Sequence, residues 1–313
     1  MLSILALILP IFALILCGWL VRRVGWVKDA AAAELNRFVV LLALPALLFD
    51  IVAEAEWASL WQPDFILCYT LATFAIFVAT IVVQRRRRRA LADAAVDGLN
   101  TSYSNTGYMG FPLLLAVFGS DSQQPVMIAT LITVCLLFAV GITLIEAGLQ
   151  SQRAGGQLAL MVVKKVLSNP IVAAPLLALV IPVFNWSLPQ PVAASLKLLG
   201  DSAAPCALVT IGLFLGGRAG GRGLLSATSG VMVATKLIVH PLLTYLLAVY
   251  VFHLPDYAMQ CAVLVAALPT GTGPFMAAEY YRRETAVTSN AILISTLLSP
   301  ISLTLILAWF AAA

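Results

Sequence analysis

Residues 105–112 are Asn105-Thr106-Gly107-Tyr108-Met109-Gly110-Phe111-Pro112, inside one long apolar stretch of the chain. Proline removes a backbone donor and clashes one turn back, while glycine adds backbone freedom, so a regular helix cannot continue here without loss. A second such run, Pro269-Thr270-Gly271-Thr272-Gly273-Pro274, falls at the corresponding place in the other half. Irregular backbone at membrane depth is tolerated where it lines a cavity or is buried in protein. Two interruptions, one per half, therefore indicate a transporter's substrate site.

The composition is that of an integral membrane protein. Hydrophobic residues make up 62% of the chain and charged residues 10%, whereas soluble domains are about half apolar and a quarter charged. The 313 residues leave room for roughly ten spans of about 20 residues each. The apolar start of the chain is interpreted as the first span. The five cysteines lie in apolar runs and are interpreted as packing residues, so we expect no metal site, disulfide or cofactor. The charge pattern shows no nucleic-acid surface.

Ten apolar stretches alternate with charged segments, and the charges predict the orientation. Basic residues follow the odd-numbered stretches, and the segments after the even-numbered ones carry no Lys or Arg. Because Lys and Arg accumulate in short cytoplasmic loops, both termini are expected outside. The five-arginine run is interpreted as a topology anchor, with lipid-headgroup binding as the alternative. The expected stretches are 2–21, 36–53, 63–84, 91–118, 125–148, 161–181, 191–216, 225–252, 257–281 and 286–311, and the basic residues are Arg22, Arg23, Lys28, Arg37, Arg85, Arg86, Arg87, Arg88, Arg89, Arg153, Lys164, Lys165, Arg218, Arg222, Arg282 and Arg283.

The prolines suggest an internal repeat. Pro10 and Pro170 are 160 positions apart, as are Pro45 and Pro205, and Pro112 and Pro274 are 162 apart. Five spans per half is an odd number, so related halves must be inverted in the membrane. The expected fold is an all-α integral membrane protein of ten transmembrane helices in two inverted five-helix repeats, residues 1–150 and 151–313, with two discontinuous crossing helices.

Crossing of the two interrupted helices predicts an anion site. The amino termini of the half-helices carry partial positive charge and free N–H groups, which suit an anion. Asn105 can bind a carboxylate oxygen, coordinate a cation or cap freed backbone. The expected substrate-binding residues are Ser104, Asn105, Thr106, Gly107, Gly110, Pro112, Pro269, Thr270, Gly271, Thr272, Gly273 and Pro274.

Two charged residues inside expected spans, Asp201 and Lys236, are candidates for a functional role. Asp201 is preceded by Lys197 one turn earlier, so the two can pair on one helix face. Lys236 lies mid-span, with His240 one turn on. Because charge at mid-membrane is costly, Asp201 and Lys236 are candidate coupling or charge-balancing residues. The alternatives left open are that Asp201 and Lys197 form a packing ion pair, and that Lys236 pairs with Asp201 across helices.

Two stretches resemble known signatures. Asn36-Arg37-Phe38-Val39-Val40-Leu41-Leu42-Ala43-Leu44-Pro45-Ala46-Leu47-Leu48-Phe49 resembles the second-helix signature of the auxin efflux carrier family, and Ser104-Asn105-Thr106-Gly107-Tyr108-Met109-Gly110-Phe111-Pro112-Leu113 resembles its fourth-helix signature. The length resembles that of short bacterial-type members, which implies the bacterial cytoplasmic membrane. Bile acid–sodium symporters and sodium–proton antiporters are relatives of the family.

The resemblance implies a scaffold group and a transport group of helices, small organic anions as substrates, and relatives that often pair as homodimers. Bile acid relatives bind sodium through a carboxylate in the second broken helix. Here the nearest acid is Glu279, well past the break. Coupling to H⁺ is therefore favoured over Na⁺.

The expected function is secondary active transport of mono- or dicarboxylates by alternating access, with an elevator or rocking motion. An anion channel or membrane sensor on the same fold is the alternative. An enzyme is disfavoured: Asp93 and Asp97 have the DxxxD spacing of a magnesium-diphosphate site, but no second acidic motif accompanies them.

Overall fold

The structure, a computed structural model, describes residues 2–55, 60–150, 164, 167–184, 186–217 and 227–312. Within these ranges the chain is helical, and no strand forms beyond one isolated bridge. Six of the described helical segments are long and apolar enough to cross a membrane: Ala30–Ala53, Pro63–Arg86, Ser120–Leu149, Gln190–Gly217, Ala227–Tyr250 and Thr285–Ala311. The chain is a multi-pass helical membrane protein.

The helices of the described ranges are numbered in chain order. They are α1 (Leu2–Arg23), α2 (Asp29–Phe38), α3 (Leu44–Ala53), α4 (Pro63–Arg86), α5 (Leu91–Ser102), α6 (Phe111–Phe118), α7 (Gln123–Thr130), α8 (Phe138–Leu149), α9 (Pro170–Ala178), α10 (Val180–Val183), α11 (Gln190–Asp201), α12 (Ala203–Gly217), α13 (Ala227–Ala234), α14 (His240–Tyr250), α15 (Asp256–Ala267), α16 (Gly273–Tyr280) and α17 (Thr285–Ala312). The expected spans 91–118 and 257–281 are each divided into shorter helices. The sixth expected span lies partly outside the described residues, as do Glu56, Arg153, Lys165, Arg218 and Arg222.

The described residues include four π-helical segments, and three of them are followed by a proline. The π-helical segments Val39–Ala43, Thr106–Gly110 and Thr235–Val239 each end two residues before a proline. These prolines are Pro45, Pro112 and Pro241. A proline ring clashes with the carbonyl four residues earlier, and a π-turn moves that carbonyl aside. A fourth π-helical segment, Leu131–Leu137, has no such proline.

The second span begins earlier than the sequence analysis expected. Helix α2 starts at Asp29 rather than near residue 36, because the alanine-rich segment after Asp29 favours helix. Arg37 therefore lies on a helix and not in a loop, and its Nη1 is 3.2 Å from Glu34 Oε1.

The described helices form two packing groups. In the first, α1 packs along α12, α12 contacts α2, and α9 and α11 pack against α3. Close approach of α1 and α12 depends on Gly18 and Gly212, since a Cβ at Gly212 would lie 2.0 Å from the Ile15 carbonyl oxygen. The second group comprises α4, α5, α7, α8 and α13 to α17. The groups meet where α16 contacts α2 and where Leu131–Leu137 contacts α3.

Ion pairs tie two connections together at the end of the second group where α4 leads into α5. Arg89 Nε lies 3.0 Å from Asp97 Oδ2, and Arg89 Nη2 lies 3.1 Å from Glu284 Oε2. Arg283 Nη1 lies 3.5 Å from Asp93 Oδ1. Burial disfavours the Arg89 charge, but the two carboxylates outweigh it and raise its pKa. Both acids of the DxxxD spacing are thus engaged by arginines.

Candidate functional site

Both interruptions begin where a helix of the second packing group stops short. Helix α5 ends at Ser102, and its continuation resumes with a π-turn at Thr106 before α6. Helix α15 ends at Ala267, and α16 begins at Gly273. Leu268 has ψ 149° because the residue before a proline is pushed into extended conformation. The chain therefore crosses this depth as two short extended segments.

The two extended segments pair with each other. Ser104 and Thr270 form an isolated antiparallel bridge. The Asn105 amide donates to the Pro269 carbonyl across 2.9 Å, and the Gly271 amide donates to the Tyr103 carbonyl across 3.1 Å. Backbone groups freed by the breaks are thereby satisfied between the halves of the chain, as unpaired groups away from water would be costly.

Side chains satisfy the carboxyl-terminal ends of the broken helices. The Thr270 hydroxyl donates to the Asn100 carbonyl of α5 across 2.8 Å. The Lys236 ammonium donates to the Ala266 carbonyl of α15 across 2.6 Å. The Thr270 amide in turn donates to Ser295 Oγ across 3.2 Å. Besides the two helices that cross, two further helical segments thus hold the crossing: Thr235–Val239 through Lys236 and α17 through Ser295.

A cavity of about 70 Å³ lies beside the crossing, between the two packing groups. One side is formed by the extended segments and by Val134 and Met276. The other side is apolar and comes from the first packing group. Its residues are Val39, Leu44, Leu47, Ala203, Ala204 and Ala207. The volume is several times the roughly 15 Å³ that one water needs, and it suits a small ligand.

Free hydrogen-bond donors line the crossing side of this cavity. Gly107 is the second residue of the π-turn after the first break and Gly273 is the first residue of α16, positions where amides lack a carbonyl one turn back. Among the described residues, neither amide donates to a backbone acceptor. The Thr106 hydroxyl is buried and also has no partner there. An anion at this point would meet two helix amino termini and a hydroxyl.

Comparison with known proteins bears on what such a site serves. Residues 3–307 match the sequence profile of a family described as membrane transport protein. The chain belongs to that family. The transporter is 32% identical over 305 residues to a Rhizobium meliloti protein named "Putative malonate transporter", covering 97% of this chain and 95% of the relative.

Two further relatives show the breadth of the family. Auxin efflux carrier component 8 of Arabidopsis thaliana is 22% identical over 341 residues, which cover 93% of this chain and 92% of the relative. The lysosomal cholesterol signaling protein of Mus musculus is 25% identical over 321 residues, covering 93% of this chain but 36% of the relative. The resemblance to auxin efflux carriers is confirmed. The family is one of transporters and not of enzymes.

The structure brings seven of the twelve expected substrate-binding residues to the cavity of the transporter. These are Ser104, Asn105, Thr106, Gly107, Gly271, Thr272 and Gly273. The Asn105 side chain makes no hydrogen bond within the described part of the chain, so its carboxamide group is available to a ligand.

The other five expected residues do not line the cavity and shape the crossing instead. Pro112 and Pro274 stand at the second positions of α6 and α16. Gly110 packs against Leu268. Pro269 supplies the carbonyl that Asn105 binds, and Thr270 is buried as a cap.

The glycines have different surroundings on the two sides of the cavity. A Cβ at Gly271 would lie 2.9 Å from Tyr103 Cε1, and one at Gly273 would lie 2.7 Å from Tyr103 Cζ. A Cβ at Gly107 would meet nothing within 4 Å. Tyr103 therefore packs directly on the second segment, while the space beside Gly107 remains open.

Lys236 is fully buried behind the crossing and does not contact Asp201. Its Nζ lies 3.0 Å from Ser104 Oγ and 3.3 Å from His240 Nδ1, besides the 2.6 Å bond to Ala266. Asp201 lies instead on α11, where its Oδ1 is 3.9 Å from Lys197 Nζ. Its side chain is 61% exposed. The interpretation of Lys236 and Asp201 as an interhelical pair is therefore wrong, because Lys236 points toward the crossing and Asp201 points outward.

A polar network around Lys236 escaped the sequence analysis. The Tyr69 hydroxyl donates to Ser104 Oγ across 3.3 Å and lies 3.2 Å from Thr133 Oγ1. Thr73 Oγ1 lies 3.3 Å from His240 Nε2. Tyr69 and Thr73 are one turn apart on α4, and that spacing of hydroxyls in an apolar span was the available signal.

Proposed function

We propose that this transporter is a secondary active carrier of small organic anions, with short dicarboxylates of the malonate class as its first candidate substrates. The pairing of the two interrupted segments carries the proposal, because it puts the free amides of Gly107 and Gly273 at one cavity. Asn105 and Thr106 add an amide and a hydroxyl that would fix a carboxylate. The printed name of the Rhizobium meliloti relative supports the substrate class.

We infer that the chain forms ten spans in two inverted repeats, residues 1–150 and 151–313. The prolines paired at similar spacings support the repeat, because the members of two pairs occupy similar places in the structure. Pro112 and Pro274 each follow the first residue of a helix after an interruption. The segments around Pro45 and Pro205 both contribute to the apolar cavity side, through Leu44 and Leu47 and through Ala204 and Ala207.

Alternating access would take the form of an elevator or rocking motion between the packing groups. The ligand donors belong to the second group, whereas the first group offers apolar and mainly small side chains. Such a surface holds no hydrogen bond to the substrate and would let the loaded second group move past it. The substrate would then travel with the crossing.

Proton coupling and assembly complete the proposal. Asp201 would act as a proton site at the first packing group, and Lys236 would balance substrate charge, with H⁺ favoured over Na⁺. The charge pattern supports an orientation with both termini outside, and the resemblance to short bacterial-type members supports the bacterial cytoplasmic membrane. A homodimer is also proposed, because the resemblance implies relatives that pair.

Counterflow in proteoliposomes tests the proposed function. Vesicles loaded with unlabelled malonate are expected to accumulate radiolabelled malonate transiently and saturably, since a carrier exchanges bound substrate. Uptake should change with an imposed pH gradient, and Asp201→Asn should abolish that response. Absence of counterflow for malonate and for other mono- and dicarboxylates would refute the carrier.

A sensor or channel on the same fold is the second candidate, favoured by the name of the mouse signaling relative. Unsaturable conductance would indicate a channel. Anion binding without counterflow would indicate a sensor.

A further inference from the structure

The buried Lys236 ammonium has a complete set of ligands. Its three N–H donors match three acceptors: the Ala266 carbonyl at 2.6 Å, Ser104 Oγ at 3.0 Å and His240 Nδ1 at 3.3 Å. With Nδ1 accepting, the neutral ring carries its proton on Nε2 and can donate it to Thr73. The arrangement therefore accommodates one positive charge without another ion.

The Lys236 ammonium lies at the end of an interrupted helix. The Ala266 carbonyl is at the carboxyl-terminal end of the interrupted helix α15, where the helix dipole is negative. Carbonyls at such broken-helix ends are what discontinuous-helix carriers use to coordinate a sodium ion. Within the described chain, no carboxylate lies within ion-pairing distance of Lys236.

The neighbours of Lys236 add no competing charge. Tyr69 of α4 reaches the same Ser104 oxygen, and its ring centre is 6.2 Å from that of His240. Ser104 belongs to the extended segment after α5 and the Ala266 carbonyl to α15, and both are uncharged partners of the ammonium. An ammonium without a carboxylate is costly to bury. The helix end and a nearby substrate anion would offset that cost.

We propose that the Lys236 side chain is a tethered cation that fills the ion site of the crossing. The substrate anion then meets this counter-charge through Ser104, which contacts the Lys236 side chain and lines the cavity. This inference rests on the proposed anion transport and deepens it: the carrier needs no free monovalent cation at the crossing. Removal of the side chain should leave a vacant site for a small ammonium ion.

Chemical rescue tests the tethered cation. Malonate uptake is measured for the full-length wild type, Lys236→Met and Lys236→Ala, with Na⁺, choline, methylammonium or tetramethylammonium as the external cation. Wild-type uptake should be the same in Na⁺ and in choline. Lys236→Met should keep a sharp thermal unfolding transition but lose uptake by about tenfold or more. Lys236→Ala should lose uptake similarly and regain it severalfold with methylammonium, but not with the bulkier tetramethylammonium.

The second intramembrane lysine supplies the control. Lys197→Met removes an ammonium that is exposed and paired with Asp201, so methylammonium should not alter its uptake. Undiminished uptake by Lys236→Met would overturn the proposal, as would a folded Lys236→Ala that methylammonium does not rescue. If the variants fail to fold, the wild type decides, because a requirement for Na⁺ overturns the tethered cation. Failure of wild-type uptake under every condition would instead refute anion transport itself.

Discussion

The backbone amide of Asn105 lies 2.9 Å from the carbonyl oxygen of Pro269, and this is one of the two backbone hydrogen bonds that join the interrupted helices. This bond does not depend on the Asn105 side chain. It fixes the first segment against the second and so sets the separation of the free amides at Gly107 and Gly273. The geometry of the candidate anion site is therefore a property of the paired backbones, and the side chains can be varied separately from it.

Asn105→Ala should abolish the thermal stabilisation that malonate gives to the purified transporter. The backbone bridge survives this change, but the amide that would hold a carboxylate is lost. The unfolding temperature without ligand should stay close to that of the wild type. Differential scanning fluorimetry with and without malonate measures both quantities.

Asn100→Ala is the matched control for Asn105. The Asn100 side chain donates to Thr288 Oγ1 across 3.0 Å, away from the cavity. Its loss should cost about 1–3 kcal/mol of stability and lower the unfolding temperature while the malonate-induced shift persists. Unchanged stabilisation in Asn105→Ala would remove Asn105 from the site.

Gly107→Ala and Gly273→Ala should have opposite effects on stability. At Gly107 the new methyl group enters open cavity space, and alanine favours helix by about 1 kcal/mol. That variant should be as stable as the wild type or more so, with weaker malonate binding. At Gly273 the methyl group would meet the Tyr103 ring at 2.7 Å, which should destabilise the fold by about 1–3 kcal/mol. Thermal unfolding and calorimetric titration separate the two effects, and a destabilised Gly107→Ala would contradict the open space.

Arg89→Met should destabilise the transporter more than Arg87→Met, although both belong to the five-arginine run. Arg89 pairs with Asp97, whose side chain is 3% exposed, whereas Arg87 is exposed. Loss of Arg89 leaves a buried carboxylate unpaired at a cost of about 1–3 kcal/mol. The double variant Arg89→Met/Asp97→Asn should recover part of the loss in denaturant unfolding. Equal stability of the two single arginine variants would show that the pair contributes nothing.

Cysteine labelling should place residue 54 outside the cell and residue 87 inside. Glu54→Cys and Arg87→Cys are each made in a background without native cysteines. The first places a single thiol just after the second span, and the second places one just after the third span, on the opposite side of the membrane. An impermeant maleimide applied to whole cells should modify the first and spare the second until the cells are opened. The reverse pattern would overturn the orientation inferred from the charges.

The two helix interruptions could be predicted from the sequence, because proline and glycine disturb a helix at or next to their own positions. Pro269 and Pro274 bound the second break, and Gly107, Gly110 and Pro112 lie in the first. The π-turns before Pro45 and Pro241 relieve the clash of a proline ring one turn back, but α1 and α17 stay α-helical around Pro10 and Pro300, so a proline alone does not predict a π-turn.

Contacts between side chains far apart in the sequence could not be predicted from local sequence. Lys236 and Asp201 suggested a pair because both are charged and intramembrane, but helix rotation decides which side chains meet, and apolar spans fix that rotation weakly. The bonds from Tyr69 to Ser104 and from Thr270 to Asn100 join distant segments. The sequence marks such residues as polar but does not say which of them meet.

The amide nitrogens at the crossing offer the most direct measurement. Thr-Gly occurs in this chain only at Gly107, Gly271 and Gly273, so threonine labelled with ¹³C at the carbonyl and glycine labelled with ¹⁵N select those three amides in a heteronuclear NMR spectrum. Saturating malonate should shift the Gly107 and Gly273 signals strongly and the Gly271 signal weakly, because the Gly271 amide is already bonded to Tyr103. If calorimetry shows bound malonate while the Gly107 and Gly273 signals stay unmoved, the anion does not lie between the two helix ends.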